Sequence, residues 1–456
     1  MEKNLTTGSV GRNLLFFSLP YLLSYFLQTL YGMADLYIIG QFEGVEATTA
    51  VSIGSQVMHM ITVMIVGLAM GATVTIAQAV GRADRESAAE SIGNTVILFL
   101  GVSIVLTALL LILARPICSV MATPKEAVSG TMQYLTICFI GIPFITAYNI
   151  ISAIFRGLGD SKSPMYFIAA ACIANILLDY LFMGYFQMGP AGAALGTTLS
   201  QAFSVALALF VILKRNIGIE VSKGHFKPHK SRMFQIMRIG TPIALQDGFI
   251  QIAFILITII ANHRGLNDAA AVGIVEKIMG FMFLVPSSML SAVSALGAQN
   301  IGAGQLDRAK LTLKYAVAIT VSFGAVVAIG MQFLAEPMVA LFTDAETAAG
   351  AAVVVLGGQY LRGYIWDCVF AGVHFSFSGY FCACGRSEIS FIHNSCSIVL
   401  LRIPGAYLAS KLFPDTLFPM GLATAAASLL SVAICIFAYR MLCRRENIQK
   451  GDTCHE

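Results

Sequence analysis

The feature that most constrains this chain is the recurrence of apolar runs long enough to cross a bilayer. A helix needs about 20 consecutive, mostly apolar residues to span the hydrocarbon core. Twelve runs fit, in the windows 14–40, 50–77, 92–114, 131–155, 164–185, 190–213, 239–261, 271–297, 313–341, 351–375, 389–410 and 418–442. A chain that satisfies its backbone hydrogen bonds within each apolar segment is helical, so the sequence predicts an all-α membrane protein with twelve transmembrane helices. Composition agrees, since 57% of the 456 residues are hydrophobic and only 11% are charged, far from the averages of soluble domains.

Lys and Arg are retained on the cytoplasmic side of membrane proteins. With a cytoplasmic N-terminus, 21 of the 28 basic residues fall in loops or helix ends on that side, seven of them between Lys214 and Arg238. Only Arg115, Lys125, Arg264 and Lys411 fall outside, while Lys277, Arg362 and Arg402 lie within spans. Both termini are therefore expected in the cytoplasm of a multi-pass protein of the plasma (inner) membrane. The net charge of +4 then reflects topology and the lipid bilayer, and no basic patch with interleaved aromatics points to nucleic acid. The first apolar run continues to Gly40, too long for a cleavable signal.

Few residues suggest catalysis. Five of the ten cysteines (Cys138, Cys172, Cys368, Cys396 and Cys435) sit inside apolar runs, without the spacing of a zinc site. Cys382 and Cys384 fall at a cytoplasmic loop, where a stable disulfide is not expected. His225 and His229 flank Pro228 and read as a solvated linker. "RGLGDSK" from Arg156 lacks both the preceding strand and the spacing of a phosphate loop. No enzyme, no cofactor and no ATP-driven motor is expected, so transport would draw on an ion gradient.

The chain also repeats itself at an offset of about 221 to 229 residues. "SLP" ending at Pro20 answers "GTP" ending at Pro242, and "VGRADRESAAES" from Val80 answers "IGAGQLDRAKLT" from Ile301. "FRGLGDSKSP" from Phe155 answers "FCACGRSEIS" from Phe381, and "GPAGAALGTTLSQA" from Gly189 answers "FPMGLATAAASLLS" from Phe418. Internal repeats of this length mark transporters. Each half has an even number of spans, so the repeats are parallel. Two pseudo-symmetric six-helix bundles are expected at 1–213 and 239–445, with a cytoplasmic linker at 214–238, a tail at 446–456, and a monomer as the working unit. Gly192, Gly196 and Ser200, at four-residue spacing, suit close helix packing in lipid.

Two acids break the symmetry. Asp35 lies in "TLYGMADLYIIG" (29–40) and Asp179 in "NILLDYLF" (175–182), whereas their repeat positions fall at Ile257 and near Gly405. An ionised Asp at the centre of a membrane helix costs roughly 2.5–3.5 kcal/mol on insertion scales, and intramembrane acids are functional by default. Both acids lie a short way before the outer end of an outward-running helix, so they can share one depth. Asn175 and Asp179 are four apart on one helix face, and Gln28 lies two turns before Asp35 on the same face. Two carboxylates facing one cavity resist carrying two charges at once, which suits uptake and release of a proton. With the Asn175 amide and a hydroxyl from Thr197 or Thr198, the same group offers hard oxygen ligands to Na⁺. Asp247 reads as solvated near a helix start, Asp367 and Arg402 as a structural ion pair, and Glu276 and Lys277 as neighbours pointing in different directions.

The early "SLP", "ADLYIIG" (34–40), "VGRAD" (80–84), "RGLGDSKSP" (156–164), "NILLDYLF", "GPAGAALGTTLSQ" (189–201) and "LRIPGAYL" (401–408), in this order, resemble the multidrug and toxic compound extrusion (MATE) family over nearly the whole chain. The resemblance implies two six-helix bundles around a central cavity and antiport of amphipathic, often cationic small molecules against H⁺ or Na⁺. It implies a cation-coupling site, with Na⁺ as one occupant, at Asp35, Asn175, Asp179 and Thr197, and a substrate cavity faced by Gln28 and Asn149. Tyr180 stands where the family often has proline, the acid that another branch carries in its seventh helix falls at Ile250, and "CACGRSE" is atypical, so no second-lobe site is carried over. A multidrug exporter is the leading expectation. A flippase for a lipid-linked or amphipathic metabolite is the alternative, ahead of a channel or receptor.

Overall fold

A computed structural model describes residues 4–214, 219–343 and 346–452. Residues 215–218 of the expected linker, 453–456 of the expected tail, and Lys3 and Arg215 of the basic set lie outside the described residues. The described residues form sixteen α-helices, two π-helical turns and one short 3₁₀ turn, without a strand. They trace twelve membrane segments: α1 (Val10–Phe42), α2 (Val45–Gly81), α3 (Arg85–Val120), α4 (Val128–Ile140) with α5 (Ile142–Gly157), α6 (Lys162–Asp179) with π1 (Tyr180–Tyr185), and α7 (Gly189–Lys214) in the first half. In the second half follow α8 (Lys230–Asn262), α9 (Leu266–Met282) with α10 (Leu284–Gly302), α11 (Leu306–Ala340), α12 (Ala348–Tyr364) with α13 (Asp367–Ala383), α14 (Ser387–Ser397) with π2 (Ile398–Arg402) and α15 (Ile403–Leu412), and α16 (Phe418–Asp452).

Among the described residues, nine helical segments are individually long and apolar enough to cross a membrane, and α4 with α5, bent by 47°, makes a tenth. The α12–α13 and α14–π2–α15 segments are broken into shorter pieces and carry Arg362, Asp367, His374, His393 and Arg402, which lowers their apolar signal. Proline accounts for two of the breaks: Pro143 opens α5 and Pro404 opens α15, positions where its missing N–H is not needed.

The internal repeat is visible in how the helices end. In the first half, Asp84 N donates to Ala79 O (3.1 Å) with Ala83 at φ 56°, and Asp160 N donates to Phe155 O (2.8 Å) with Gly159 at φ 89°. In the second half, Gln305 N donates to Asn300 O (2.8 Å) with Gly304 at φ 74°, and Arg386 N donates to Phe381 O (2.8 Å) with Gly385 at φ 70°. All four are left-handed helix closures of the Schellman type, and they recur at the offset read from the sequence.

By packing, the chain divides into two compact units. One comprises Met1–Ala244 with Ala295–Ala309; the other comprises Leu245–Ser294 with Lys310–Glu456. In the first unit, α2 lies against the opening turns of α8 so closely that a Cβ on Gly71 would strike the Ile236 carbonyl and one on Gly240 the Leu68 carbonyl. Backbones approach in this way where small residues remove the spacer. The described part of the linker is docked in the same unit. His229 N donates to Asn94 Oδ1 (2.7 Å), His225 Nε2 lies 2.9 Å from Glu86 Oε1, and the 3₁₀ turn Lys223–Phe226 covers Gly93 of α3. The second unit has its own core, in which Ile257, Val272, Val275, Tyr360, Tyr364 and Cys368 are buried together.

Candidate functional site

Asp35 is carried by α1, seven residues before its end. Its neighbours Met33 and Tyr37 are exposed, yet Asp35 itself is 2% exposed, because it lies on the face of α1 that also buries Ile38 and Ile39. Asn175 and Asp179, on the last turn of α6, are 1% and 0% exposed. Thr197 Oγ1 of α7 donates to Asp35 Oδ2 at 3.1 Å and shares its proton with Ala193 O at 3.1 Å. Asn175 and Asp179 lie beside the Asp35 carboxyl. Four residues that the sequence singled out thus meet inside the first unit, and Thr197 rather than Thr198 supplies the hydroxyl. Thr198 instead points at Gly141 and Cys138.

The group is incompletely satisfied. Asp35 Oδ1, both amide atoms of Asn175 and both carboxyl oxygens of Asp179 are buried without a well-formed hydrogen bond. Buried polar atoms are almost always paired. Ionised carboxylates are acceptors only, so Asp35 and Asp179 can satisfy one another only by sharing a proton, or satisfy a cation between them. Two unit charges 4 Å apart repel by about 4 kcal/mol at an effective dielectric constant of 20. The group offers two carboxylates that can share a proton and, with one amide oxygen and one hydroxyl, oxygen donors of the kind hard cations take.

Two local features that position these acids are not legible as a pattern. A Cβ at Gly196 would overlap Asp179 Oδ1, so the absence of a side chain there creates the space for the carboxyl. Immediately after Asp179 the helix widens into π1 (Tyr180–Tyr185). Single π turns are frequent at functional sites. Tyr31, one turn before Asp35, and Tyr134 and Cys138 of α4 also lie near the acid. Of these, only Tyr31 could have been found from sequence, by its four-residue spacing.

The structure does not bring Gln28 and Asn149 into this group. Gln28 is half-buried about 10 Å down α1 from Asp35, at seven residues' rise, beside Tyr148. Asn149 Nδ2 donates to Ile145 O at 2.8 Å. Farther along α5, the buried Arg156 guanidinium stacks over Tyr21 at 4.2 Å from the ring centroid. In the second unit, the repeat position of Asp35 is the fully buried, apolar Ile257. Asp367 and Arg402 form the expected ion pair, with Arg402 Nη2 donating to Asp367 Oδ2 at 3.2 Å. Asp247 is half-buried.

Comparison with known proteins agrees with this architecture. The MatE family model matches the chain twice, over residues 20–181 and 242–408, an offset equal to that of the internal repeat. The probable multidrug resistance protein YpnP of Bacillus subtilis is 30% identical over 405 residues, 89% of each chain. A protein of Shewanella oneidensis named as an FAD transporter is 24% identical over 458 residues, 98% of each chain. Among solved structures, a MATE transporter crystallised in complex with MaL6 superposes with a TM-score of 0.90 at 22% identity, covering 98% of each chain. With twelve membrane helices, a twofold sequence repeat and the family model matched in both halves, the chain belongs to the MatE family of transporters.

Proposed function

We propose that this protein is a secondary active multidrug exporter that expels amphipathic, often cationic compounds in exchange for H⁺ or Na⁺. The observation that carries the reading is the convergence of Asp35, Asn175, Asp179 and Thr197 in one place, with five buried polar atoms lacking a well-formed hydrogen bond. An entering cation neutralises the pair and lets α1, α6 and α7 pack against it; its departure restores repulsion of about 4 kcal/mol by the estimate above. That is comparable with the roughly 2.3 kcal/mol released by one charge crossing 100 mV, so ion occupancy can bias a helix arrangement. Tenfold accumulation of a neutral compound costs about 1.4 kcal/mol, within reach of a single proton. In this reading the lobes are 1–213 and 239–445, joined by a linker at 214–238 and followed by a tail at 446–456. Gln28 and Asn149 face the substrate, and the protein works as a monomer in the plasma membrane with both termini cytoplasmic, without cofactor or enzymatic step.

A second reading, carriage of an anionic amphipathic metabolite, is favoured by Arg156, a buried guanidinium stacked on Tyr21 and two turns along the same helix face from Asn149. The relative named as an FAD transporter makes such a cargo chemically reasonable. Proteoliposomes under imposed pH or Na⁺ gradients, offered ethidium and FAD, separate the two. Coupled ethidium efflux that disappears in Asp35→Asn and Asp179→Asn supports the exporter; efflux unchanged in Asp35→Asn overturns the role assigned to that acid.

A further inference from the structure

The second unit holds a group of charges that does not balance. Asp367 opens α13 and is 1% exposed; Arg402 closes π2 and is 8% exposed. Besides its ion pair, Arg402 Nη2 donates to Tyr364 Oη at 2.9 Å, and its guanidinium lies over Phe254 at 5.2 Å. Glu276 of α9 faces the same cluster, its Oε2 accepting from Thr258 Oγ1 at 3.3 Å. One atom of each charged group is buried without a partner: Glu276 Oε1, Asp367 Oδ1 and Arg402 Nε.

Among the described residues, the surroundings supply no further counter-charge. From α8 come Thr258 and Phe254, and from α12 Tyr360 and Tyr364, which face both Glu276 and Arg402. From α13 come Asp367 and His374, with Ser428 of α16 beside Asp367. Arg362 of α12 is engaged elsewhere, 3.0 Å from Glu336 of α11, and Lys277, next to Glu276 on α9, is exposed. Two carboxyls therefore share one guanidinium. Asp367 takes the direct pair, which leaves Glu276 as the excess negative charge, and an isolated carboxylate at membrane depth is strongly disfavoured.

We infer that Glu276 carries a second exchangeable proton, held in the Glu276–Asp367–Arg402 cluster of the second unit and separate from the Asp35–Asp179 group. Arg402 lies within one turn of Gly405, the repeat position of Asp179; Arg402 is the last residue of π2 and Asp179 immediately precedes π1. The second half thus builds in a tethered cation near where the first half faces its acids, and the surplus acid then takes a proton. The existence of this site does not depend on the exporter reading, but its consequence rests on it. Exchange of two protons for one monovalent cation moves a net charge, whereas one-for-one exchange moves none.

Infrared difference spectra of the full chain in liposomes, taken between acid and alkaline pH, test the site directly. The wild type should show the carbonyl band of a protonated carboxyl that is absent in Glu276→Gln, retained in Asp35→Asn, and shifted but present in Glu276→Asp, which controls for folding. A Glu276→Gln spectrum with the full wild-type band overturns the proposal. In proteoliposomes, the steady-state ethidium gradient of the wild type should change about fifty-fold per 100 mV of imposed potential, one net charge per cycle. Glu276→Gln should lose that response. Failure of ethidium transport in the wild type would count against the exporter reading, while the infrared result would still decide the proton site.

Discussion

Replacing Gly196 with Ala tests whether the Asp35–Asp179 group is a working ion site, because the perturbation is confined to one methyl group. An added Cβ would overlap Asp179 Oδ1, with the carboxyl carbon next at 3.2 Å and the Asp179 backbone N at 3.5 Å. The carboxyl must move, and since Asp179 is 0% exposed it can move only against Asp35 and Asn175. Overpacking of this kind costs about 1–3 kcal/mol, while replacing glycine within a helix returns about 1 kcal/mol. Global stability should change by roughly 0–2 kcal/mol on these terms. If the strain falls on the ion-bound state, half-saturation for the coupling ion should weaken about 5- to 150-fold, at tenfold per 1.4 kcal/mol. Gly192→Ala is the control, one turn earlier on the same face, where the nearest atoms are those of Phe182 at 3.1 Å and need give only slightly. The assay is initial efflux rate against H⁺ or Na⁺ concentration, with thermal unfolding in detergent alongside. Equal half-saturation in Gly196→Ala, Gly192→Ala and wild type would refute the assignment of Asp179 to the site.

Three further outcomes follow from the geometry. Thr197→Val removes the hydrogen bond to Asp35 and should weaken ion binding about two- to tenfold, whereas Thr198→Val should leave it unchanged; isothermal titration with Na⁺ or proton-uptake measurements distinguish them. Asn94→Ala strips the acceptor from His229 N and should lower stability by about 1–3 kcal/mol, seen as a lower unfolding temperature and faster proteolysis between residues 219 and 229. Arg402→Ala leaves Asp367 buried without its partner and should cost about 3–5 kcal/mol, most of it recovered by a joint Asp367→Asn, Arg402→Met exchange. Protein yield and thermal midpoint in detergent measure this, and an undiminished midpoint in Arg402→Ala would contradict the pairing.

Much of this protein is local in origin and was legible along the chain. The spans follow from hydropathy, the twofold repeat from loops that close helices in the same left-handed way, and the shared depth of Asp35 and Asp179 from their distances to the ends of their helices. The pairing of Asp367 with Arg402 could be guessed because a lone charge in lipid needs a partner.

What the chain could not settle is how each helix is rotated against its neighbours. One residue of rotation moves a side chain by about 100°, so spacing alone left Thr197 and Thr198 open, and the packing of α7 on α1 puts the Thr197 hydroxyl on Asp35. Gly196 looked like one of many small packing residues until Asp179 was seen to occupy the space its missing side chain leaves. The linker read as solvated until Asn94 and Glu86 of α3 were found to hold it. Glu276 read as a structural neighbour of Lys277, and only the packing of α9 beside α12, with α8, α13 and π2 around the same cluster, set it against a guanidinium already engaged by Asp367. Hydropathy and spacing act within a segment and so determined the helices, their repeat and the acids worth attention; contacts between segments depend on tertiary packing, which alone decided which atoms those acids meet.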